Sequence, residues 1–164
     1  MSRTKVLLFP VLFPVLFSLL FSLCACGGGG EEAGFDPAAA TQALLDSGAY
    51  SETLEPLDTD IAFQMFGFSA WGEDPVAIEG SVVYYSTGAT SECAAVILAD
   101  QDHLDQVEES LQTWLSDQRE ALADYQPQEL PKLEGAIVER RGNSVLLAVA
   151  HDQAAAQAAL DDLK

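Results

Sequence analysis

The pattern of apolar and polar positions changes character along the chain. Val6 to Leu23 carries no charge, with Arg3 and Lys5 just ahead of it, and Gly27-Gly28-Gly29-Gly30-Glu31-Glu32-Ala33-Gly34 has nothing to bury. Beyond that point the spacing of apolar residues predicts elements. Asp36 is placed to cap a helix over Ala38 to Ser47, with Pro37 at its first position and Gly48 in the C′ place. A second short helix is expected over Thr59 to Phe66, capped by Asp58 or Thr59, with Ile61, Ala62, Met65 and Phe66 as its stripe. Phe66 to Pro75 reads as an aromatic-rich loop.

From Val76 the texture is that of strands. Ser81 to Ser86 and Cys93 to Ala99 flank a turn-like connection, Thr87 to Ser91, as in a hairpin. Leu104, Val107, Leu111, Trp114, Leu115, Gln118, Ala121, Leu122 and Tyr125 follow the i, i+3, i+4, i+7 rule, which predicts a long helix. Asp100 or Asp102 can cap its start and Pro127 marks its end. Ala136 to Arg141 and Ser144 to Ala150 flank the two-residue turn Gly142-Asn143. That turn sets a register in which Arg141 opposes Ser144, Arg140 opposes Val145, Val138 opposes Leu147 and Ala136 opposes Val149. Asp152 caps a final Ala-rich helix that runs to Leu163.

The expected fold class is therefore α+β: two short N-terminal helices, then β-β-α-β-β-α, giving a four-stranded, mainly antiparallel sheet with the long helix on one face. In Cys93 to Ala99 and Val145 to Ala150 apolar residues fall on both alternating faces, so both sides of the sheet need cover. Either the N-terminal helices cover the second face, or that face meets a partner or a second copy of the chain.

The N-terminal stretch has the parts of an export signal: a basic start, an apolar run and a small-residue boundary. At 18 residues, Val6 to Leu23 lies near the lower limit for a membrane span, and Pro10 and Pro14 would interrupt a spanning helix. The run ends in Leu23-Cys24-Ala25-Cys26 followed by Gly27, which resembles the lipobox of bacterial lipoproteins. The resemblance implies cleavage between Ala25 and Cys26, a diacylglyceryl group on the Cys26 thiol and a palmitate-type acyl anchor in the cell membrane, at its extracytoplasmic face. Two acyl chains at about 0.8 kcal/mol per buried methylene hold a protein stably where one would not.

The organisation expected is thus 1–25 as a signal peptide, 26–34 as the lipidated cysteine and its tether, and 35–164 as one acidic domain. A flexible tether of eight glycine-rich residues reaches about 16 Å, from ~5–6 Å × √n. With Cys24 discarded and Cys26 acylated only Cys93 remains, which leaves no intramolecular disulfide in the mature domain.

Charge sharpens the picture. The whole chain is at −19, but residues 26–164 hold 5 Lys and Arg against 26 Asp and Glu, a net −21. Nucleic acid is not an expected partner, because phosphate contacts need clustered Lys and Arg. An envelope protein, a basic ligand or a divalent cation fits better, with the membrane reached through Cys26. A homodimer is a further reading, tied to an uncovered sheet face.

No residue set rises to a catalytic motif. Asp100-Gln101-Asp102-His103-Leu104-Asp105 looks like a calcium loop, but the sixth position is Asp105 where glycine is needed and the twelfth is Leu111 where a bidentate Glu belongs. Helix capping accounts for these acids, with a weak cation site as the alternative. His103 and His151 lack a second ligand at zinc spacing. Cys93 sits among Ala94, Ala95, Val96 and Ile97, the neighbours of a buried thiol. Phe66, Phe68, Trp71, Tyr84 and Tyr85 read as core aromatics, with a ligand surface as the alternative. No cofactor or metal is expected.

Tyr125-Gln126-Pro127-Gln128-Glu129, Lys132 to Val138 and Gly142-Asn143-Ser144-Val145, with Arg119 and Met65-Phe66-Gly67-Phe68, resemble a group of small bacterial lipoproteins carrying the domain of unknown function numbered 4358. The resemblance extends over nearly the whole mature chain. Departures are Gly135, where a larger polar residue is usual, and Ser144, where an aromatic often sits. It implies a compartment and a domain but no activity, so it assigns no catalytic residue. The expected function is a non-enzymatic, lipid-anchored binding domain. The alternative is an envelope enzyme acting on cell-wall or peptide substrates through carboxylates.

Overall fold

The computed structural model describes residues 33–68, 80–88 and 91–163. Residues 1–25, expected to be a signal peptide, and Cys26 lie outside these residues, as do most of the expected tether, positions 69–79 with Trp71, and the middle of the 87–91 connection. Glu31–Lys164 forms one compact unit.

The elements, in chain order, are α1 (Pro37–Asp46), β1 (Leu54–Pro56), α2 (Thr59–Met65), β2 (Val82–Ser86), β3 (Cys93–Leu98), α3 (Leu104–Leu122), α4 (Leu130–Glu134), β4 (Ile137–Arg141), β5 (Ser144–Val149) and α5 (Gln153–Asp161). Short 3₁₀ turns at Gln101–His103 and Pro127–Glu129 lead into α3 and α4. Caps form where the sequence places them. The Asp36 carboxylate accepts from the Ala39 N–H at 2.8 Å and that of Asp152 from the Ala155 N–H at 3.0 Å. Asp58 takes the cap of α2, and Gly48 adopts φ +74° beyond α1. The start of α3 differs from expectation. Neither Asp100 nor Asp102 caps it with a side chain; the 3₁₀ turn is closed by the His103 N–H donating to the Asp100 carbonyl at 2.9 Å.

The α+β class holds, but the sheet has five strands, in the order β1-β2-β3-β5-β4, with every neighbouring pair antiparallel. The extra strand lies between the two N-terminal helices and pairs Leu54, Glu55 and Pro56 with Ser86, Tyr85 and Tyr84. Three residues, one of them proline, are too few to show an alternating pattern. The Leu57 N–H bonds the Val83 carbonyl at 2.8 Å, so by alternation Pro56 turns its nitrogen outward, where no partner donor is needed. A second element beyond expectation is α4, a single turn hidden between Pro127 and Gly135.

The β4–β5 hairpin has the expected register from Arg141↔Ser144 through Ile137↔Ala148. Only Gly142 of its turn takes a positive φ, +53°, the pattern of a type II′ turn.

Both faces of the central strands are covered by the chain itself. Ala95, Ile97, Val145, Leu147 and Val149 pack with α3, α4 and the end of α2. Ala94, Val96, Leu146 and Ala148 pack with α1 and α5. The cover of the second face is thus shared differently from expectation. Of the two N-terminal helices only α1 lies there, joined by the C-terminal α5. Helix α2 is drawn to the other face because Ala62 and Phe66 join an aromatic cluster there. Phe66 meets Trp114 edge-on at 5.3 Å and Phe68 at 5.6 Å, and Tyr85 stands 6.4 Å from Trp114. These aromatics are core, while Tyr84 packs on the opposite face.

Candidate functional site

The sheet end formed by the β2–β3 connection holds a group of charges that sequence reading passes over. Glu92, just before β3, has no exposed surface. Its Oε2 accepts from the backbone N–H groups of Ser51 and Glu52, each at 3.0 Å. Its Oε1 accepts from the Ser51 hydroxyl at 2.5 Å and from Lys132 Nζ at 2.9 Å. Lys132, only 8% exposed, also lies 3.0 Å from Glu129 Oε2 and 3.4 Å from Ser51 Oγ. Next to the cluster, the Tyr50 hydroxyl donates to the Cys93 carbonyl at 3.3 Å.

Each group is delivered by a different part of the fold. Ser51 and Glu52 end the link from α1 to β1, Glu92 precedes β3, and α4 with its leading 3₁₀ turn presents Glu129 and Lys132 three residues apart on one side. One turn of α4 is therefore enough to set both charges, and its place is held by Arg119 of α3, which donates to the Leu133 carbonyl at 2.7 Å.

Electrostatics keeps the cluster charged. Burial pushes the Glu92 carboxyl up, but the hydrogen bonds from Lys132, Ser51 and the Glu52 N–H outweigh it, and it titrates below its ordinary value of 4.5. Burial pushes Lys132 down, but Glu92 and Glu129 outweigh it, and it titrates above its ordinary 10.5. Ser51 is held between the two, donating to Glu92 and lying 3.4 Å from Lys132 Nζ. The chemistry of this arrangement is to fix three segments to one another.

The sequence-derived candidates fall elsewhere. Cys93 is fully buried in β3, and desolvation pushes its thiol up to about 12. A thiol reagent at pH 8 is expected to leave Cys93 unmodified in the native chain and to label it once denaturant is added; labelling of that peptide in the native protein would show the strand to be open. Asp100, Asp102, His103 and Asp105 form no ligand set, and among the described residues no three His, Cys, Asp or Glu side chains gather to hold a metal. Asp105 is instead paired with Arg140. Cys26 lies outside the described residues, among which no helix is long and apolar enough to cross a membrane.

Two signals in the sequence could have pointed to the cluster. Lys132 is one of very few cations in an acidic domain, and it sits between Pro131 and Leu133, three residues after Glu129. Its partner Glu92 is 40 residues away and carries no local mark.

Ser144 and Gly135 each have a local role. Ser144 is fully buried; its hydroxyl accepts from the Phe35 N–H at 2.8 Å and donates to the Arg141 carbonyl at 2.7 Å. A side chain without a hydroxyl could not make both bonds. A side chain at Gly135 would run into Gln153, whose amide donates to the Pro131 carbonyl at 2.8 Å and ties α5 to α4.

No curated protein and no solved structure matches the chain. A family model described as a domain of unknown function does match, over residues 57–150, from the end of β1 through β5. That span contains Glu92, Glu129 and Lys132 but leaves α1, Ser51 and α5 outside it, so the match is shorter than the expected resemblance over nearly all of residues 26–164. On this match the chain belongs to the family of the domain of unknown function DUF4358.

Proposed function

We propose that this protein is a bacterial lipoprotein, held at the extracytoplasmic face of the cell membrane by a lipid on Cys26, whose acidic α+β domain binds an envelope component rather than catalysing a reaction. The observation that carries the reading is the tetrapeptide Leu23-Cys24-Ala25-Cys26 at the end of an uncharged run with a basic start. The acidity of the domain supports the binding side of it. At a net −21 for residues 26–164 it is repelled by anionic lipid and attracts basic proteins or divalent cations at short range. The Glu92 cluster supports the same side, since its charges are engaged with each other, Lys132 with both Glu92 and Glu129.

The test is incorporation of labelled palmitate in a bacterium that processes lipoproteins. The wild-type chain and a Cys24→Ser variant should take up label and pellet with membranes, whereas Cys26→Ser should take up none. Absence of label from the wild-type chain, or its retention by Cys26→Ser, would overturn the lipoprotein reading.

A further inference from the structure

The chain enters the folded domain at a fixed point. Gly34 is packed so closely on the β4–β5 turn that a Cβ there would collide with Asn143 Oδ1 and lie 3.2 Å from the Arg141 carbonyl oxygen. The next residue, Phe35, is tied by its N–H to Ser144, and its ring lies under the Arg141 guanidinium, 3.9 Å from the guanidinium carbon. Residues 34 and 35 therefore belong to the domain, with Ala33 just ahead of it.

That entry point is at one end of the sheet. The Ala99 N–H donates to the Asn143 carbonyl at 3.0 Å, the Gln101 amide reaches the Gly142 carbonyl at 3.3 Å, and Ala33 and Gly34 line the same depression. The charged cluster is at the other end. Strand β3 runs from Cys93, opposite Val149, to Leu98, opposite Ser144 beside the turn. From Glu92 to Ala99 is seven residues, about 23 Å at ~3.3 Å per residue.

We infer that the domain stands on the bilayer with its β4–β5 turn against the phospholipid headgroups and the Glu92–Lys132 end pointing away. The inference rests on the lipid anchor at Cys26. Six residues lie between Cys26 and Ala33, seven steps of chain, and a glycine-rich sequence of that many steps has an expected r.m.s. span of about 15 Å, from ~5–6 Å × √n, which is shorter than the sheet. To bring the far end down, the tether would have to run nearly straight along the side of the domain. Chain length, not a basic patch, holds this orientation: Arg140 is already paired with Asp105 and Arg141 with Glu139. An envelope partner approaching from outside thus meets Ser51, Glu52 and α4 first.

The experiment uses the full lipidated chain in vesicles of phosphatidylethanolamine and phosphatidylglycerol containing a phospholipid with a nitroxide on its headgroup. A fluorophore is placed on an introduced cysteine, Gln101→Cys or Asn143→Cys near the turn, or Glu52→Cys at the far end; Cys93 is buried and does not compete. Quenching at either near position is expected to exceed that at the far position by roughly twofold or more, given a tether span shorter than the sheet. Equal quenching, or stronger quenching at Glu52→Cys, in protein that carries its lipid would overturn the orientation and leave the anchor standing. Protein that carries no lipid and stays off the vesicles would remove both.

Discussion

Replacing Glu92 by alanine is expected to lower the unfolding free energy by about 3–5 kcal/mol, the cost of stripping one partner from a buried, hydrogen-bonded ion pair. The size follows from what the carboxylate does. It accepts two backbone N–H groups, one hydroxyl and one ammonium, and its side chain has no exposure through which water could replace it. Without it Lys132 keeps only Glu129 as a charged partner, and the Ser51 and Glu52 amides lose their acceptor. Because the loss comes partly from the stranded ammonium, Glu92→Ala combined with Lys132→Met should cost less than the sum of the two single changes. Additive costs in urea unfolding would show that the two side chains do not act as a pair.

The same cluster sets a pH dependence. Glu92 titrates below its ordinary 4.5 in the folded chain, so its contribution is present above that value and is lost as acid protonates it. Lys132 titrates above its ordinary 10.5, so its contribution is present below that value and is lost as the pH rises through the folded pKa. The stability gap between wild type and Glu92→Ala should therefore be flat across neutral pH and narrow at both extremes. A gap that is unchanged in acid would mean that Glu92 is not held as a carboxylate.

The second large effect concerns the two faces of the sheet. Leu146→Ala and Leu147→Ala are each expected to cost about 2–5 kcal/mol, the range for removing a buried leucine side chain in a well-packed core. The two residues are neighbours on β5 and point to opposite faces, Leu147 toward α3 and its companions, Leu146 toward α1 and α5, both with no exposure. If one face were open to a partner, its leucine would be nearly neutral in the isolated chain. A cost under about 0.5 kcal/mol at either position, the scale of ordinary surface changes, would contradict the two-sided cover.

The two-sided cover also shows where local pattern stops being informative. The unbroken apolar runs of β3 and β5 imply that both faces must be buried, since alternation with polar residues would otherwise appear. They do not say by what. Helix α2, with Ala62 and Phe66, is amphipathic enough to lie on either face, and its place beside Trp114 is decided by the fit of aromatic rings. The last helix is as readable as any from Asp152 and its alanines, yet its role as cover for Leu146 and Ala148 depends on the connection after β5 turning back over that face.

Small elements were illegible for a different reason. Strand β1 is three residues long and α4 is five, and neither is long enough to express a period. Both exist because of what they touch: β1 borrows the edge of β2, and α4 is pinned by Arg119, Gln153 and the ion cluster. The hairpin at Gly142-Asn143 is the opposite case. A two-residue turn leaves one register open to its flanking strands, and a slip of one residue would exchange the two buried faces.

By itself, then, the sequence determined the α+β class, the long helix, the caps at Asp36 and Asp152, the hairpin register and the burial of Cys93. Each of these rests on interactions among residues close in the chain, whose spacing is written in the order of residues. The five-stranded order, the division of helices between the faces and the meeting of Ser51, Glu92, Glu129 and Lys132 were decided only by the tertiary structure. Those contacts join segments some 40 residues apart, as from Ser51 to Glu92. Whether a carboxylate ends in solvent or buried beside an ammonium depends on packing that no local period encodes.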